Sequence, residues 1–145
     1  MTFVHSSRVH GLNAHFEPDS SSWGVNRRGF GLEVRPKHLM DGWVHFAIPT
    51  PTVIHRTRLK ANTATIRFAT GPHASIVAIH AWDADTIMVR HDGLNLRGTN
   101  MQNYSVYIPG QPEVFHGTEI SIAVHFENQD SDAWVQVSSA GIDFS

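Results

Sequence analysis

The sequence predicts an all-β protein, an antiparallel β-sandwich of the jelly-roll-like kind, with a flattened β-barrel as second choice. In nearly every apolar stretch the apolar residues recur at every second position, which is the period of a strand with one buried face. Turn residues such as Gly71-Pro72 and Asp92-Gly93 separate these stretches at intervals of about 8–12 residues, as in sandwiches and barrels. We expect roughly nine to eleven strands and a single domain over residues 1–145.

The clearest strand is Gly42–Ile48, which Pro49 and Pro51 terminate. Its even-numbered positions from 44 onward are apolar, whereas its odd-numbered positions include Trp43 and His45. Successive side chains of a strand point to opposite faces. This strand is therefore predicted to have one face in a core and a second face that presents tryptophan and histidine.

Three further stretches alternate in the same way, namely residues 63–69, 104–108 and 119–126. Residues 74–82 lack a clean alternation, as expected of a strand buried on both faces, and they place His80 in phase with Ile76 and Trp82. The in-phase apolar residues of three alternating strands are predicted to share one core: Val44, Phe46, Ile66, Phe68, Ile120, Ile122 and Val124.

Composition excludes several classes of protein. The chain has no cysteine, so disulfides and thiolate chemistry are excluded. It shows neither a signal-peptide pattern nor an apolar run of about 18 residues, which predicts a cytoplasmic protein that does not bind a membrane. Its 11 lysines and arginines are scattered among 13 acidic residues, and this balance argues against nucleic acid as a partner.

Motifs for catalysis or metal binding are missing from the sequence. There is no Gly-x-Ser-x-Gly elbow, His-x-His pair or His-Glu-x-x-His pair, so catalytic residues stay unassigned and no metal or cofactor is predicted. Residues 127–132 offer oxygen ligands at alternate positions, but they lack the glycine and the bidentate glutamate of a calcium loop. We interpret this segment as an acidic hairpin loop exposed to solvent.

Aromatic residues give the strongest functional indication. Trp43 shares a strand face with His45, and Trp134 shares one with Gln136. A tryptophan beside polar groups offers a stacking surface to sugar rings and other flat ligands. The Asp92-Gly93 turn is expected to direct its neighbouring polar side chains outward. The predicted ligand-binding residues are Trp43, His45, His91, Asp92, Asn95 and Trp134.

Several short segments are distinctive: VHG at 9–11, WG at 23–24, WVHFAIPTP at 43–51, HDGLNL at 91–96 and VYIP at 106–109. Together they resemble a family of small bacterial all-β proteins of uncharacterised function. The resemblance extends from about Val9 to Phe126. It implies an all-β fold but no established activity, and it assigns no catalytic residue. The segment Arg35-Pro36-Lys37-His38 departs from the family pattern.

Three functions are compatible with these patterns. The leading hypothesis is a non-enzymatic module that binds a carbohydrate or another small molecule on the Trp/His face. One alternative is a small enzyme whose His/Asp acid–base pocket lies at one end of the sandwich. The other alternative is a structural homo-oligomer that buries the Trp face between subunits. A deep pocket with a histidine and a carboxylate in hydrogen-bond reach would favour the enzyme, and a shallow groove with an exposed tryptophan would favour the module.

The chain is rich in histidine, with 11 residues. A histidine that is buried in the neutral state has a lower pKa in the folded chain than in the unfolded chain. Such residues would make stability fall as the pH drops below about 6.5. A histidine paired with a carboxylate would act in the opposite direction. From the composition we expect the stability to fall as the pH drops below about 6.5.

Overall fold

The computed structural model describes residues 5–38 and 40–145. Two antiparallel sheets enclose one hydrophobic core, which confirms the all-β sandwich. The chain passes from one sheet to the other at most of its long connections, as it does in jelly rolls. In the described part of the chain, no helix has the length and apolar character needed to cross a membrane.

The strands are longer and more numerous than the alternation predicted. In chain order they are β1 (His5–His10), β2 (His15–Glu17), β3 (Trp23–Arg28), β4 (Gly31–Pro36), β5 (Asp41–Ile48), β6 (Val53–Ile54), β7 (Thr57–Arg58), β8 (Ala61–Thr70), β9 (Ala74–Asp83), β10 (Thr86–His91), β11 (Gln102–Tyr107), β12 (Thr118–Phe126) and β13 (Val135–Phe144). The predicted number of nine to eleven is too low. Strands as short as β2, β6 and β7 contain too few residues to show a periodic pattern.

Each sheet has a simple strand order. The first sheet runs β11-β8-β13-β4-β3, and β1 also pairs with β13. The second sheet runs β10-β9-β12-β5-β2, while β6 and β7 form a separate two-stranded hairpin. Strands β9, β12 and β5 therefore lie in the interior of the second sheet, with a paired neighbour on both sides.

The core lies between the two sheets and contains every residue predicted for it. Val44 and Phe46 come from β5 of the second sheet, and Ile66 and Phe68 come from β8 of the first. All seven predicted residues are at most 1% exposed, so the prediction of a shared core is confirmed. The opposite faces of the strands must then face solvent, which directs Trp43 and His45 away from the core.

A β-bulge in β9 changes the direction of its side chains. Against β12, Ala123 pairs with Ala78 but the next residue, Val124, pairs with Ile76, so Val77 is the extra residue. Ile76 consequently points into the core, while His80 points to the outer face. The predicted phase that grouped Ile76 with His80 is wrong, because the bulge interrupts the alternation between them.

The loop after β10 has the predicted glycine turn. Gly93 has φ +69°, a left-handed conformation that glycine adopts without strain. The loop returns at Leu96, which forms a bridge with Ile76 of β9. Asp92 and Asn95 are both exposed, as predicted.

Candidate functional site

Three rows of side chains cross the outer face of the second sheet, because directly paired residues of antiparallel strands point the same way. The central row consists of His15, His45, Ser121, His80 and Arg90. The row on one side consists of Glu17, Trp43, Ala123 and Ala78. The row on the other side consists of Ala47, Glu119, Trp82 and Ile87. The two tryptophans therefore flank the central row from opposite sides.

A shallow cleft of about 250 Å³ lies on this face. We call it the sheet-face cleft. Its lining residues are Glu17, Trp43, His45, His80, Trp82, Arg90 and Ser121. They come from the edge strands β2 and β10 as well as from the interior strands, so the cleft crosses the full width of the sheet. An open cleft with two tryptophans matches the geometry expected of a binding module.

His45 is held by carboxylates at both ring nitrogens. Its Nε2 lies 2.6 Å from an oxygen of Glu17, and its Nδ1 lies 3.1 Å from Glu119 and 2.8 Å from the hydroxyl of Ser121. The Ser121 hydroxyl donates in turn to the second oxygen of Glu119. These contacts fix the ring orientation and favour the protonated imidazole, because both nitrogens then donate to acceptors.

Burial and hydrogen bonding have opposite effects on the pKa of His45. The hydrogen bond to Glu119 is the largest influence and raises it, burial lowers it, and the bond to Glu17 raises it further. The net pKa lies above the ordinary value of 6.5. His45 therefore behaves in the opposite way to the buried neutral histidine expected from composition.

Replacing His45 with glutamine should remove a pH-dependent part of the stability. A folded-state pKa above the unfolded value gives stability that is fully present below about pH 6.5. This contribution, about 0.5–1 kcal/mol for a partly exposed pair, is lost as the pH rises through the folded pKa. Urea unfolding at pH 6.0 and 8.5 should show a larger cost of His45→Gln at pH 6.0. The variant His15→Gln, in the same row, is the control. An equal or larger cost at pH 8.5 would contradict the assignment.

The second histidine of the cleft is fixed between an aromatic ring and a carboxylate. The ring of His80 lies 4.8 Å from that of Trp43, centroid to centroid, at an interplanar angle of 49°. Its Nε2 lies 2.7 Å from an oxygen of Asp92. Trp43 belongs to β5 and His80 to β9, so the indole reaches across β12, where the small side chain of Ala123 leaves room for it.

The structure brings together three of the predicted ligand-binding residues. Trp43 and His45 line the sheet-face cleft. Asp92 reaches its margin through the hydrogen bond to His80. Trp43 and His45 come from β5, and Asp92 comes from the loop after β10, which is far away in the sequence. Their convergence follows from the sheet order, in which β5 and β9 both pair with β12.

The other three predicted residues lie elsewhere. His91 pairs with core-facing Ile79 and packs against Tyr104 of the first sheet, with 6.5 Å between ring centroids. Asn95 accepts a hydrogen bond of 2.7 Å from the guanidinium of its neighbour Arg97. Trp134 precedes β13 of the first sheet, where its carbonyl accepts from the backbone of Gly71. None of these three lines the cleft, so their predicted ligand role does not extend to a ligand that is bound there.

Sequence reasoning missed five residues that line the cleft: Glu17, His80, Trp82, Arg90 and Ser121. The sequence places His80 and Trp82 on one face of their strand. That strand was predicted to be buried on both faces, so neither residue was assigned to a surface site. Glu17 lies in a strand of only three residues. Ser121 and Arg90 join the central row only because their strands pair in this order.

The polar groups around Ser121 resemble a catalytic serine–histidine–carboxylate set in composition but not in surroundings. Ser121 is only 3% exposed. Acyl transfer also needs backbone N–H groups directed at the developing oxyanion. The backbone of β12 around Ser121 is paired with β5 on one side and with β9 on the other. The arrangement therefore suits positioning of a ligand better than attack on one.

The acidic segment 127–132 is not a hairpin loop. It connects β12 of the second sheet to β13 of the first, so the predicted hairpin is wrong. Ligand atoms of His73, Asp130 and Asp132 lie there within 4.8 Å of one another. The Nδ1 of His73 lies 2.8 Å from Asp130, which also accepts from the backbone N–H of Asp132. The hydrogen bonds of Asp130 to the ring of His73 and to the backbone of Asp132 close the loop.

The fold is similar to that of several solved carbohydrate-binding modules. A xylan-binding module, CBM86 of Roseburia intestinalis, shares 11% identity at a TM-score of 0.57, covering 97% of this chain and 96% of that one. The xylan-binding module CBM15 shares 10% identity at a TM-score of 0.57, covering 100% and 98%. The C-terminal CBM6 of LamC, a laminarinase from Zobellia galactanivorans, shares 10% sequence identity at a TM-score of 0.55, and the match covers 95% of this chain and 98% of that one. At such identities the likeness establishes the β-sandwich fold alone.

Sequence comparison gives a family but no characterised relative. No curated protein sequence matches this chain. A family model matches residues 5–145, almost the whole length. The family was expected to be one of uncharacterised function, and this expectation is confirmed. The chain belongs to DUF6623, a family of unknown function.

Proposed function

We propose that this protein is a non-enzymatic carbohydrate-binding module whose ligand lies in the sheet-face cleft. The observation that carries the proposal is the pair of tryptophans, Trp43 and Trp82, on either side of a row of polar side chains in an open cleft. A sugar ring has apolar C–H faces and a rim of hydroxyl groups. It therefore needs both aromatic surfaces and hydrogen-bonding groups from its binder.

The cleft supplies both hydrogen-bond acceptors and a hydrogen-bond donor. The carboxylates of Glu17 and Asp92 accept hydrogen bonds, and each retains an oxygen beyond the one bound to histidine. The guanidinium of Arg90 is a donor, and it has no hydrogen bond or ion pair to any residue that the structure describes. Because hydroxyl groups both donate and accept, this mixture suits a polyhydroxylated ligand better than a purely apolar one.

The side chains of the cleft are held in place before a ligand arrives. His45 is clamped between Glu17 and Glu119, and His80 lies between Trp43 and Asp92. Side chains that are already ordered lose little conformational entropy when a ligand binds. The proposal also draws support from the fold, since solved modules of the same architecture are described as binding xylan.

Calorimetric titration with soluble xylan, xylohexaose and laminarihexaose tests the proposal. We expect the natural protein to bind at least one of these glycans. Trp43→Ala should weaken that binding by roughly tenfold, the contribution of about one aromatic contact. Trp134→Ala is the matched control and should leave the affinity unchanged. Equal affinities of the Trp43→Ala variant and the natural protein, or no binding to any of a broad panel of glycans, would contradict the proposal.

The same samples distinguish the two alternatives. Release of reducing ends from xylan, abolished by His80→Gln, would favour an acid–base enzyme built on His80 and Asp92. A dimer that Trp43→Ala converts to a monomer, without any glycan binding, would favour a structural homo-oligomer. Size-exclusion chromatography with light scattering supplies the second measurement.

A further inference from the structure

A second depression lies at the edge of the sandwich, where β10 meets the connection between β11 and β12. Its volume is about 380 Å³. We call it the edge pocket. Its lining residues are Asp83, Thr86, Ile87, Met88, Pro109, Pro112, Glu113, Phe115 and His116. None of them takes part in the sheet-face cleft, so the cleft does not account for this pocket.

The edge pocket presents an exposed aromatic ring that is held from one side. Phe115 is 50% exposed, although a phenylalanine normally loses most of its exposure on folding. The guanidinium of Arg58 lies over its ring, 4.2 Å from the centroid. That guanidinium also donates to the backbone carbonyl of Val114 at 2.9 Å. One face of the phenylalanine is thus covered by a fixed cation, which leaves the other face for a ligand.

A buried carboxylate anchors the segment that carries Phe115. Asp83 accepts hydrogen bonds from three consecutive backbone N–H groups, those of Phe115, His116 and Gly117, at 2.8, 2.9 and 3.0 Å. The carbonyl of Gly117 accepts in return from the backbone of Ala84. The ring is therefore presented by an ordered backbone, which lowers the entropy cost of binding.

The edge pocket begins where the sheet-face cleft ends. Ile87 lines the edge pocket, and its cross-strand partner Trp82 lines the sheet-face cleft, so both side chains project from the same face. Asp83, which anchors the Phe115 segment, directly follows Trp82 in β9. A ligand that leaves the cleft past Trp82 reaches the edge pocket without crossing the core.

From this arrangement we infer that the edge pocket is a second subsite for the same ligand, and that Phe115 stacks on a sugar ring there. The inference rests on the proposed function. It specifies the ligand as an oligosaccharide or polysaccharide chain that extends past Trp82, with one sugar ring in the sheet-face cleft and another in the edge pocket. Thr86, Glu113 and His116 supply hydrogen-bonding groups around the ring.

A length series of oligosaccharides tests the inference. Xylobiose and xylohexaose, or laminaribiose and laminarihexaose, are titrated into the natural protein and into Phe115→Ala. We expect the natural protein to bind the hexasaccharide more tightly than the disaccharide. Phe115→Ala should lose roughly three- to tenfold in affinity for the hexasaccharide, the contribution of one aromatic contact. Its affinity for the disaccharide should be unchanged.

Two variants serve as controls for this experiment. Phe115→Tyr keeps the ring and should retain the preference for the longer chain. Tyr107→Ala removes another exposed aromatic side chain, outside both depressions, and should have no effect. If Phe115→Ala binds the hexasaccharide as tightly as the natural protein, the inference is overturned and the proposed function stands. If the natural protein binds no glycan of a broad panel, both the inference and the proposed function are overturned.

Discussion

Replacing Phe46 with alanine is expected to lower the free energy of unfolding by about 3–5 kcal/mol. Phe46 is fully buried on β5, opposite Ile120 of β12, in the core between the two sheets. Truncation removes its apolar contacts and leaves a cavity that the paired strands cannot close. A change of this size is a large part of the total stability of a domain, which is about 5–15 kcal/mol.

Urea unfolding measures this effect through the transition midpoint, provided that the slope of the transition is unchanged. Phe46→Leu keeps most of the volume and should cost less than half as much. Ala47→Ser, at the exposed neighbouring position, should have little effect. A loss below about 1 kcal/mol for Phe46→Ala, which is typical of surface positions, would place the side chain outside the core.

Replacing Asp83 with alanine is expected to cost about 3 kcal/mol, because three backbone N–H groups lose their acceptor and each net hydrogen bond is worth about 1 kcal/mol. Asp83 is buried at the end of β9. Burial alone would raise the pKa of this carboxyl. The N–H groups of Phe115, His116 and Gly117 outweigh that effect and hold the pKa below its ordinary value.

The pH dependence of the Asp83 variant has a definite sign. A lowered folded-state pKa gives stability that is present above the unfolded value of about 3.9. The contribution is lost as the pH falls through the folded pKa. The cost of Asp83→Ala measured by urea unfolding should therefore be larger at pH 7 than at pH 3. Asp85→Ala, two residues further and exposed, is the control. Equal costs for the two variants at pH 7 would exclude the anchoring role.

Alternation was enough to predict the fold class and the core. In β5 the aliphatic and aromatic residues Val44 and Phe46 alternate with Trp43 and His45. This alternation is regular enough to assign the two faces of the strand without a structure. The β-bulge at Val77 could not be predicted, because an extra residue in a run of small and branched side chains leaves no mark in the sequence. As a result, His80 was grouped with core-facing Ile76.

The candidate site was harder to predict, because it depends on which strands are neighbours. His45 is bound by Glu17 and Glu119, which lie 28 and 74 residues away in the sequence. Nothing in the local pattern indicates that β2 and β12 flank β5. For the same reason Trp134 shares the chemical pattern of Trp43 in the sequence but lies beside the other sheet, just before β13. Periodicity assigns a side chain to one face of its strand, whereas the order of strands in the sheet decides which side chains of other strands lie beside it.

The four tryptophans allow one direct measurement of where a carbohydrate binds. Each indole N–H gives its own NMR signal, which Trp→Phe variants assign. Trp43 and Trp82 lie in the sheet-face cleft. Trp23 is buried and donates to the carbonyl of Pro18, and Trp134 lies beside the first sheet. In a titration with a glycan that binds, we expect the signals of Trp43 and Trp82 to shift and those of Trp23 and Trp134 to stay unchanged. Shifts confined to Trp134, with Trp43 and Trp82 unmoved, would contradict the proposed site.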